Sequence, residues 1–298
     1  MRIAVIGQPG AWSTERLAAA LADRGVAAPV IDLGACSLEL PGGRLLHAGE
    51  PVAALDGAVV KKIGDTAEGW AVRERVNLLR HLDASGVPVL SPPDRLEAAL
   101  DRARMTVELA AAGLPIPETV LTENVDAAVA AVERMGAAVL KPIFTSKARG
   151  MQRLVPGPEL RGRLEARRAA DPGPLYLQAF VEHPGRDLGV AVLRGHCLGA
   201  YWRVARPGQW VTTILSGGRY EAADVPAEVR ELAVRAATCF GLTFTGVDLM
   251  ERPGGGWVVL EVSAFGGFRG LLTGCGVDAA PLLAGAVIDA VARRGVPA

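Results

Sequence analysis

The sequence predicts two lobes, an α/β lobe at the N-terminus and a larger α+β lobe behind it. Strand and helix patterns alternate over residues 1–93, as they do in a parallel sheet with helices on its faces. Beyond residue 93 the strand patterns come in groups with short connections, which favours antiparallel sheet. With 298 residues, 50% of them hydrophobic, the chain has enough apolar material for a core in each lobe.

The first lobe begins with a buried-strand pattern at 3–7. A helix follows in which Leu17 and Leu21 share one face, and Ser13 is its predicted cap. The proline pair at 92–93 is the predicted end of this lobe, because prolines favour a connection over a regular element. The other elements predicted here are strands at 30–33, 58–63 and 87–90 and a helix that carries Val72, Val76 and Leu79.

The second lobe opens with a helix pattern at 96–112, which Gly113 ends. Asn124 is the predicted cap of a short helix. A longer helix is predicted at 227–240, because Pro226 suits its first turn and a glycine follows its end. The remaining elements are strands at 138–141, 175–180, 187–192 and 197–203, a hairpin of 245–251 and 257–262, and a last helix capped by Asp278.

Composition excludes several classes of protein. The 32 basic and 32 acidic residues balance, so the chain has no net field for a nucleic-acid backbone or an anionic membrane. No apolar run approaches the ~20 residues that cross a bilayer, and the four scattered cysteines lack the spacing of a zinc site. Neither a hydrolase triad nor a dinucleotide fingerprint is found. We expect a cytoplasmic protein with no nucleic-acid or membrane partner.

Two carboxylates stand inside the apolar strands of the predicted hairpin, at Asp248 and Glu261. If Gly254 and Gly255 form a two-residue turn, these carboxylates lie directly opposite each other, and Ser263 joins the same face. Opposed carboxylates repel unless a proton or cation intervenes, and their oxygens suit Mg²⁺. The alternative, a solvated pair on an exposed sheet face, is left open by the pattern.

Other polar residues are candidates for an anion or nucleotide site. Lys141, at a predicted strand end, could meet a phosphate, and Lys147 and Arg149 could act from a flap at 145–150. Asp187 could hydrogen-bond ribose hydroxyls. The flap lacks the glycines of a P-loop, so as a motif it is weak. Each residue also has a plainer interpretation as a solvated strand end, loop charge or cap.

Two further segments could face a substrate. Arg269 follows a glycine-rich run and could bind an anionic substrate, or be an ordinary surface arginine. Residues 61–65, with two lysines and Asp65, end a predicted strand of the first lobe. Open α/β sheets commonly bind ligands at strand ends, so this segment could face the acceptor.

Short motifs follow one another along the second lobe in a characteristic order and spacing. They resemble the ATP-grasp superfamily, and within it the RimK-type glutamate ligases and related cofactor glutamate ligases. The motifs are Asp101-Arg102-Ala103-Arg104, Gly113-Leu114-Pro115-Ile116-Pro117, Val139-Leu140-Lys141-Pro142, Gln178-Ala179-Phe180-Val181, Arg186-Asp187, Arg203, Ser216-Gly217-Gly218, Gly246-Val247-Asp248-Leu249 and Leu260-Glu261-Val262-Ser263.

The resemblance implies an ATP-grasp fold with an N-terminal Rossmann-like pre-ATP-grasp domain. It implies an ATP-dependent ligase in which a carboxylate attacks the γ-phosphate and an amine then displaces phosphate from the acyl phosphate. ATP and Mg²⁺ are the implied cofactors, with Mn²⁺ as a substitute, and small molecules or peptides supply the carboxylate and the amine. Relatives of this type are often homo-oligomers. The expected domains are 1–93 and 94–298, the latter with a lid at about 114–180 and a large subdomain at about 181–298.

The resemblance also implies roles for individual residues. Asp187 would hold the ribose, and Arg203 would face the γ-phosphate or acyl phosphate. Arg269, in a run that differs from the family pattern, is a second catalytic candidate on the residue alone. The implied ATP-binding residues are Arg102, Lys141, Lys147, Gln178 and the hinge residues Ala179, Phe180 and Val181, whose backbone would read adenine. The implied Mg²⁺ ligands are Asp248, Glu261 and Ser263.

The sequence departs from the family pattern at several of these positions. Arg102 replaces a lysine, Ala179 an acidic residue, Ser263 an asparagine, and residues 211–213 an Arg-Ser-Asn, while the flap keeps one glycine, Gly150. Two alternatives to a ligase therefore stay open. One is a degenerate ATP-grasp protein that binds MgATP as a regulator or scaffold, and the other is an ATP-dependent kinase of a small molecule.

Overall fold

The computed structural model describes residues 1–64, 69–145, 147–171 and 173–294, so Asp65 of the 61–65 segment and Ser146 of the flap lie outside it. The strands are β1 (Ile3–Ile6), β2 (Val30–Ile31), β3 (Cys36–Glu39), β4 (Arg44–His47), β5 (Glu50–Pro51), β6 (Gly57–Val60), β7 (Val89–Leu90), β8 (Thr119–Thr122), β9 (Ala138–Lys141), β10 (Gln152–Leu154), β11 (Leu175–Ala179), β12 (Arg186–Leu193), β13 (His196–Val204), β14 (Arg219–Ala222), β15 (Phe244–Glu251) and β16 (Trp257–Ser263). The helices are α1 (Trp12–Ala22), α2 (Gly69–Ala84), α3 (Pro93–Leu100), α4 (Arg102–Ala111), α5 (Val125–Met135), α6 (Leu160–Ala170), α7 (Ala227–Phe240), α8 (Phe268–Cys275) and α9 (Ala279–Arg294).

The N-terminal lobe is built on a parallel sheet in the order β2-β1-β6-β7, as predicted. A small antiparallel sheet, β3-β4-β5, is added to it and was not expected from the sequence. The prediction that Ser13 caps the first helix is wrong. Helix α1 already begins at Trp12, because the amides of Thr14 and Glu15 donate to the carbonyl of Ala11, so Ser13 lies inside the first turn.

The helix expected at 96–112 is two helices, α3 and α4, and this too is a correction. Asp101 leaves the helical conformation (φ −84°, ψ 102°), and its carboxylate accepts bonds from the amides of Ala103 and Arg104. A carboxylate in this position caps the helix that follows it. The break places Arg102 in the first turn of α4, with its side chain buried.

Two antiparallel sheets follow, in agreement with the predicted α+β lobe. The order is β10-β9-β11-β8 in the first and β14-β13-β12-β15-β16 in the second. The first sheet, with α5 and α6, has a core of its own, centred on residues such as Val132 and Leu177. The second sheet shares a core with the N-terminal lobe, where Ile6 and Leu79 belong to the same cluster as Val262. The domain boundaries stay a prediction.

The hairpin of β15 and β16 has the predicted pairing of Asp248 with Glu261, but for a different reason. The turn is longer than two residues, because the amide of Arg252 donates to the carbonyl of Gly256. That turn shifts the register by one position, and an irregularity between Asp248 and Leu249 shifts it back. A β-bulge of this kind re-aims the side chains that follow it, so the two carboxylates share one face.

Several predicted elements have the expected ends. Helix α7 runs over the predicted residues, Asn124 caps α5 through the amide of Ala127 (3.0 Å), and Asp278 accepts a bond from the amide of Ala280 (3.1 Å). The elements that the sequence did not indicate are β3–β5, β8, β10, β14, α6 and α8. Among the described helices, none has the length and apolar character required to span a membrane.

Candidate nucleotide and metal site

Four charged side chains converge on one face of the large sheet. Asp187 on β12 and Arg203 on β13 are register partners, as are Asp248 on β15 and Glu261 on β16. The Arg203 Nε donates to one oxygen of Asp187 (3.0 Å), its Nη2 donates to the other, and the same Nη2 lies 2.7 Å from the Asp248 carboxylate. The arginine therefore joins two of the three carboxylates.

Burial dominates the electrostatics of this cluster. It raises the pKa of Asp248, with Asp187 and Glu261 adding to the rise and Arg203 opposing it. The pKa of Arg203 is raised well above its usual value, because its two carboxylate partners outweigh the cost of its own burial. Asp248 and Glu261 still raise each other's cost of ionisation across the hairpin, and a cation between them would relieve that repulsion.

Arg102 connects the cluster to the flap. Its side chain is 4% exposed, and its guanidinium donates to the carbonyls of Pro142 and Thr145 (2.9 Å for the latter). Its Nη2 also lies 3.5 Å from the Glu261 carboxylate. Arg102, the predicted ATP-binding arginine, thus holds the backbone at the base of the flap next to β16.

Lys141 and Gln178, both predicted to contact ATP, are hydrogen-bonded to each other across β9 and β11. The Lys141 Nζ lies 2.5 Å from the Gln178 Oε1, and the Gln178 amide donates to the hydroxyl of Tyr176 (3.1 Å). Tyr176 is in turn bonded to Thr106 of α4 (2.7 Å). Burial, assisted by the neighbouring charge of Arg102, lowers the pKa of Lys141 to about 8. The lysine is therefore fixed in position and poised to gain from an anion.

The predicted adenine hinge follows β11. The amides of Ala179 and Phe180 donate to carbonyls of Glu118 (2.8 Å) and Ala137 (2.9 Å). Within the described chain this leaves Val181 as the hinge amide without a protein acceptor. An adenine base could use that donor and the hinge carbonyls, which is consistent with the predicted role.

The ring of Phe180 contacts side chains from other parts of the chain. The guanidinium of Arg153, on β10, lies 4.0 Å from its centroid, and the rings of His183 and Trp210 lie 5.8 Å and 5.9 Å away. Arg153 also pairs with Glu182 (3.0 Å). Phe180 thus connects β10 with the segments that follow β11 and β13.

The flap adopts a backbone that favours glycine although it contains little glycine. Lys147 and Ala148 have φ angles of +60° and +57°, and Gly150 has +70°. Left-handed backbone at an ordinary residue costs roughly 1 kcal/mol or more. The side chain of Lys147 is exposed and lines the cleft described next.

A cleft separates the flap from the N-terminal lobe and the end of β16. Ser263 lines it, and its hydroxyl donates to the carbonyl of Phe265 (3.2 Å), while Thr245 donates to the Ser263 carbonyl (2.6 Å). The cations that line the cleft are Lys62, Arg102, Lys147 and Arg149, against the carboxylate of Glu261. This surface favours an anion.

Arg269, a predicted site residue, lies apart from the cluster of four charged side chains on the large sheet. It is exposed on the first turn of α8, with its guanidinium 4.9 Å from the centre of the Trp12 ring. Burial raises the pKa of Tyr220 on β14, and the positive charges of Arg203 and Arg269 both oppose that rise. Arg269 therefore lies near enough to influence residues at the edge of the cluster. Arg269 thus stands between the N-terminal lobe and β14.

A comparison with family models decides the family. The model for a RimK-like ATP-grasp domain matches residues 99–287, and the model for a RimK PreATP-grasp domain matches residues 1–96. The chain belongs to the RimK-like ATP-grasp family. The ATP-grasp fold with an N-terminal pre-ATP-grasp domain, predicted from the motifs, is thereby confirmed.

Curated relatives of this ATP-grasp chain are ligases by name. It is 34% identical over 264 residues to a tetrahydromethanopterin:alpha-L-glutamate ligase of Methanosarcina acetivorans, covering 83% of this chain and 81% of that protein. It is 30% identical to a probable alpha-L-glutamate ligase of Stenotrophomonas maltophilia, covering 94% and 96%. The predicted activity class, an ATP-dependent carboxylate–amine ligase, is confirmed at this level.

Solved ATP-grasp structures match nearly the whole chain. A RimK domain ATP-grasp protein from Sphaerobacter thermophilus has a TM-score of 0.77 at 23% identity, covering 97% of this chain and all (100%) of that one. The ATP-grasp ligase PsnB, complexed with minimal precursor, Mg and ADP, has a TM-score of 0.71 at 25% identity, covering 98% of both chains.

Several residues around the ATP-grasp site were missed from the sequence. Tyr176 accepts a bond from Gln178 and is itself bonded to Thr106 of α4, and Trp210 and Arg153 both contact Phe180. None of the missed residues lies in a motif whose spacing indicates a chemical function. The one available signal was Tyr176 itself, a polar aromatic in an otherwise apolar strand, which needs a buried partner for its hydroxyl.

Proposed function

We propose that this protein uses MgATP to convert a substrate carboxylate into an acyl phosphate, and that L-glutamate supplies the amine that then forms an amide. The observation that carries the proposal is the convergence of Asp187, Arg203, Asp248 and Glu261 on one sheet face, next to the half-buried Lys141 at the end of β9. A site of fixed cations and carboxylates, without a nucleophile, suits phosphoryl transfer by positioning and charge neutralisation.

ATP would lie between the lid and the large sheet. The Val181 amide and neighbouring carbonyls would bind adenine, while Asp187 would hold the ribose in exchange for part of its contact with Arg203. Lys141 would bind phosphate oxygens, since its buried ammonium gains most from a negative partner. Lys147 of the flap would cover the phosphates.

The donor set fits Mg²⁺. Within the described residues no three His, Cys, Asp or Glu side chains form a metal cage, so a cation would depend on Asp248 and Glu261, with the Ser263 hydroxyl beside them. Mg²⁺ usually takes one or two protein carboxylates and completes its shell with phosphate oxygens and water. When bound it would neutralise the charge that develops on the transferred phosphoryl group. Mn²⁺ would use the same oxygen ligands.

The chemistry needs two displacements. A carboxylate oxygen of the substrate attacks the γ-phosphorus, and the bond to ADP breaks. The glutamate amine attacks the acyl carbon, loses a proton, and expels phosphate. Arg203 would stabilise the negative charge of the acyl phosphate, and the cationic cleft would hold the anionic substrates. The relatives named as alpha-L-glutamate ligases motivate the choice of glutamate.

The test is an assay with ATP, Mg²⁺, L-glutamate and a panel of carboxylate acceptors. We expect ADP and phosphate to form when both substrates are present, together with a product enlarged by one glutamyl residue in mass spectrometry. ADP with a phosphorylated acceptor and no amide would indicate a kinase. ATP binding without turnover on any acceptor would indicate a scaffold, and either result would overturn the proposal.

A further inference from the structure

Lys61 is a buried lysine at the junction of the N-terminal lobe with the large subdomain. It directly follows β6, and its residue is 5% exposed. Its ammonium donates to the carbonyl of Gly266 (2.6 Å) and lies 4.5 Å from the centre of the Phe268 ring. Both partners belong to the large subdomain, so this side chain crosses from one lobe to the other.

An ammonium in this position is costly. Removal from water disfavours the charged form, and burial, with a smaller contribution from Lys62, lowers the pKa of Lys61 to about 8. A methionine would occupy a similar volume at less desolvation cost. A carbonyl and an aromatic face are reasonable partners for an ammonium, but they are weaker than a carboxylate. We therefore explain the lysine at this position by the backbone segment that it binds.

Lys61 holds the loop of residues 264–267. This loop begins after Ser263, whose hydroxyl donates to Phe265 within it, and ends at α8, which carries Arg269. On its other side the loop is pressed against β15, because a Cβ on Gly266 would lie 2.9 Å from the carbonyl carbon of Thr245. The loop is thus fixed between β15 and the Lys61 ammonium.

We propose that Lys61 is a positioning residue, whose bond to Gly266 sets the loop that places Ala264 and Phe265, next to Ser263, along the wall of the substrate cleft. The inference deepens the proposed function and rests on it for its effect on turnover. Through this one side chain, the N-terminal lobe helps to position the loop that follows β16. A displacement of about 1 Å at a reacting group can reduce the rate ~100-fold, so a loop of this kind needs a fixed anchor.

The test compares Lys61→Met with Arg16→Met. Arg16 also ties the N-terminal lobe to the large subdomain, since it pairs with Asp278 before α9, but it is far along the chain from the 264–267 loop and touches none of its residues among the described contacts. Both variants remove an interlobe cation. Hydrogen exchange is measured first, because it does not depend on turnover. We expect hydrogen exchange in residues 264–269 to be faster than in wild type for Lys61→Met and unchanged for Arg16→Met.

The kinetic arm uses the acceptor found in the ligase assay. For Lys61→Met we expect the KM of the carboxylate substrate to rise about tenfold or more, with the Kd of MgATP within about twofold of wild type. Arg16→Met should leave both values unchanged. Equal exchange and equal KM in the two variants would overturn the inference, and wild-type protein without ligase activity would instead overturn the proposed function.

If Lys61→Met does not fold, Lys61→Gln provides the same comparison. Glutamine keeps a donor but is too short to reach the carbonyl in the present geometry. It should show the same local rise in exchange at 264–269, with a smaller loss of stability. Wild-type exchange in that loop would count against the inference.

Discussion

The guanidinium of Arg203 lies 2.7 Å from the carboxylate of Asp248 while it also holds both oxygens of Asp187. One cation thus pairs with a buried acid, Asp187, and a half-buried one, Asp248, which would otherwise repel. The third acid, Glu261, faces Asp248 across the hairpin and lies 3.5 Å from Arg102. A cation bound between Asp248 and Glu261 would relieve the repulsion between these two opposed carboxylates.

Arg203→Met should destabilise the protein by roughly 3 kcal/mol, because it leaves the buried carboxylate of Asp187 and the half-buried carboxylate of Asp248 without their partner. Thermal unfolding checks this, and Mg²⁺ should recover part of the loss by neutralising Asp248 and Glu261. Arg219→Met is the control, since Arg219 and its partner Glu221 are both exposed and their pair contributes less than about 1 kcal/mol. An Arg203→Met variant as stable as wild type would contradict this account of the cluster.

The affinity for ATP should depend on pH through Lys141. Its pKa is lowered to about 8, so below that pH the ammonium is charged and binds phosphate. Above pH 8 the free protein must first take up a proton, and affinity should fall up to about tenfold per pH unit until the raised pKa of the complex is reached. Lys141→Arg keeps its charge and should be flat over this range. A titration from pH 7 to 9.5 in both proteins decides the point.

Asp101→Ala should lower both stability and activity. The loss of a cap costs about 1 kcal/mol, and the first turn of α4, which carries Arg102, would lose its fixed start. Asn124→Ala removes the corresponding cap of α5 and should cost a similar amount of stability with activity unchanged. If the two variants have the same kcat/KM, the break at Asp101 has no role in placing Arg102.

Ala148→Gly should stabilise the protein, by up to about 1 kcal/mol, because it relieves a left-handed backbone. Ala130→Gly is the matched control, since Ala130 is exposed in the middle of α5, where glycine costs about 1 kcal/mol. Urea unfolding should therefore move in opposite directions for the same substitution. Destabilisation by both would show that the flap does not hold residue 148 in this conformation.

Local patterns predicted the elements whose signals lie close together in the sequence. Helix α7 was recovered because Pro226 and Gly241 bracket an apolar stripe, and the α5 cap because Asn124 precedes one. The pairing of Asp248 with Glu261 was predicted from the wrong turn, and a bulge cancelled the error. The helix break at Asp101 was missed because the apolar period continues through it.

The contacts that complete the site are long-range and could not be predicted from spacing. Arg102 reaches Glu261 over 159 positions, and Lys61 reaches Gly266 over 205. Such pairs depend on how the lobes pack, which no motif encodes. The resemblance to the ATP-grasp family supplied the candidate site residues because it carries three-dimensional information from solved relatives, whereas Trp210 and Arg153 lie outside the motifs on which it depends.

Calorimetric titration with ATP, with Mg²⁺ and with excess chelator, tests the central claim most directly. We predict binding that requires Mg²⁺ in the wild type and is lost, with the fold intact, when Asp248→Asn and Glu261→Gln are combined. The matched control is Asp224→Asn, whose carboxylate is fully exposed and should leave binding unchanged. Mg²⁺-dependent ATP affinity retained by the double variant, or no binding by the wild type in either condition, would contradict the account.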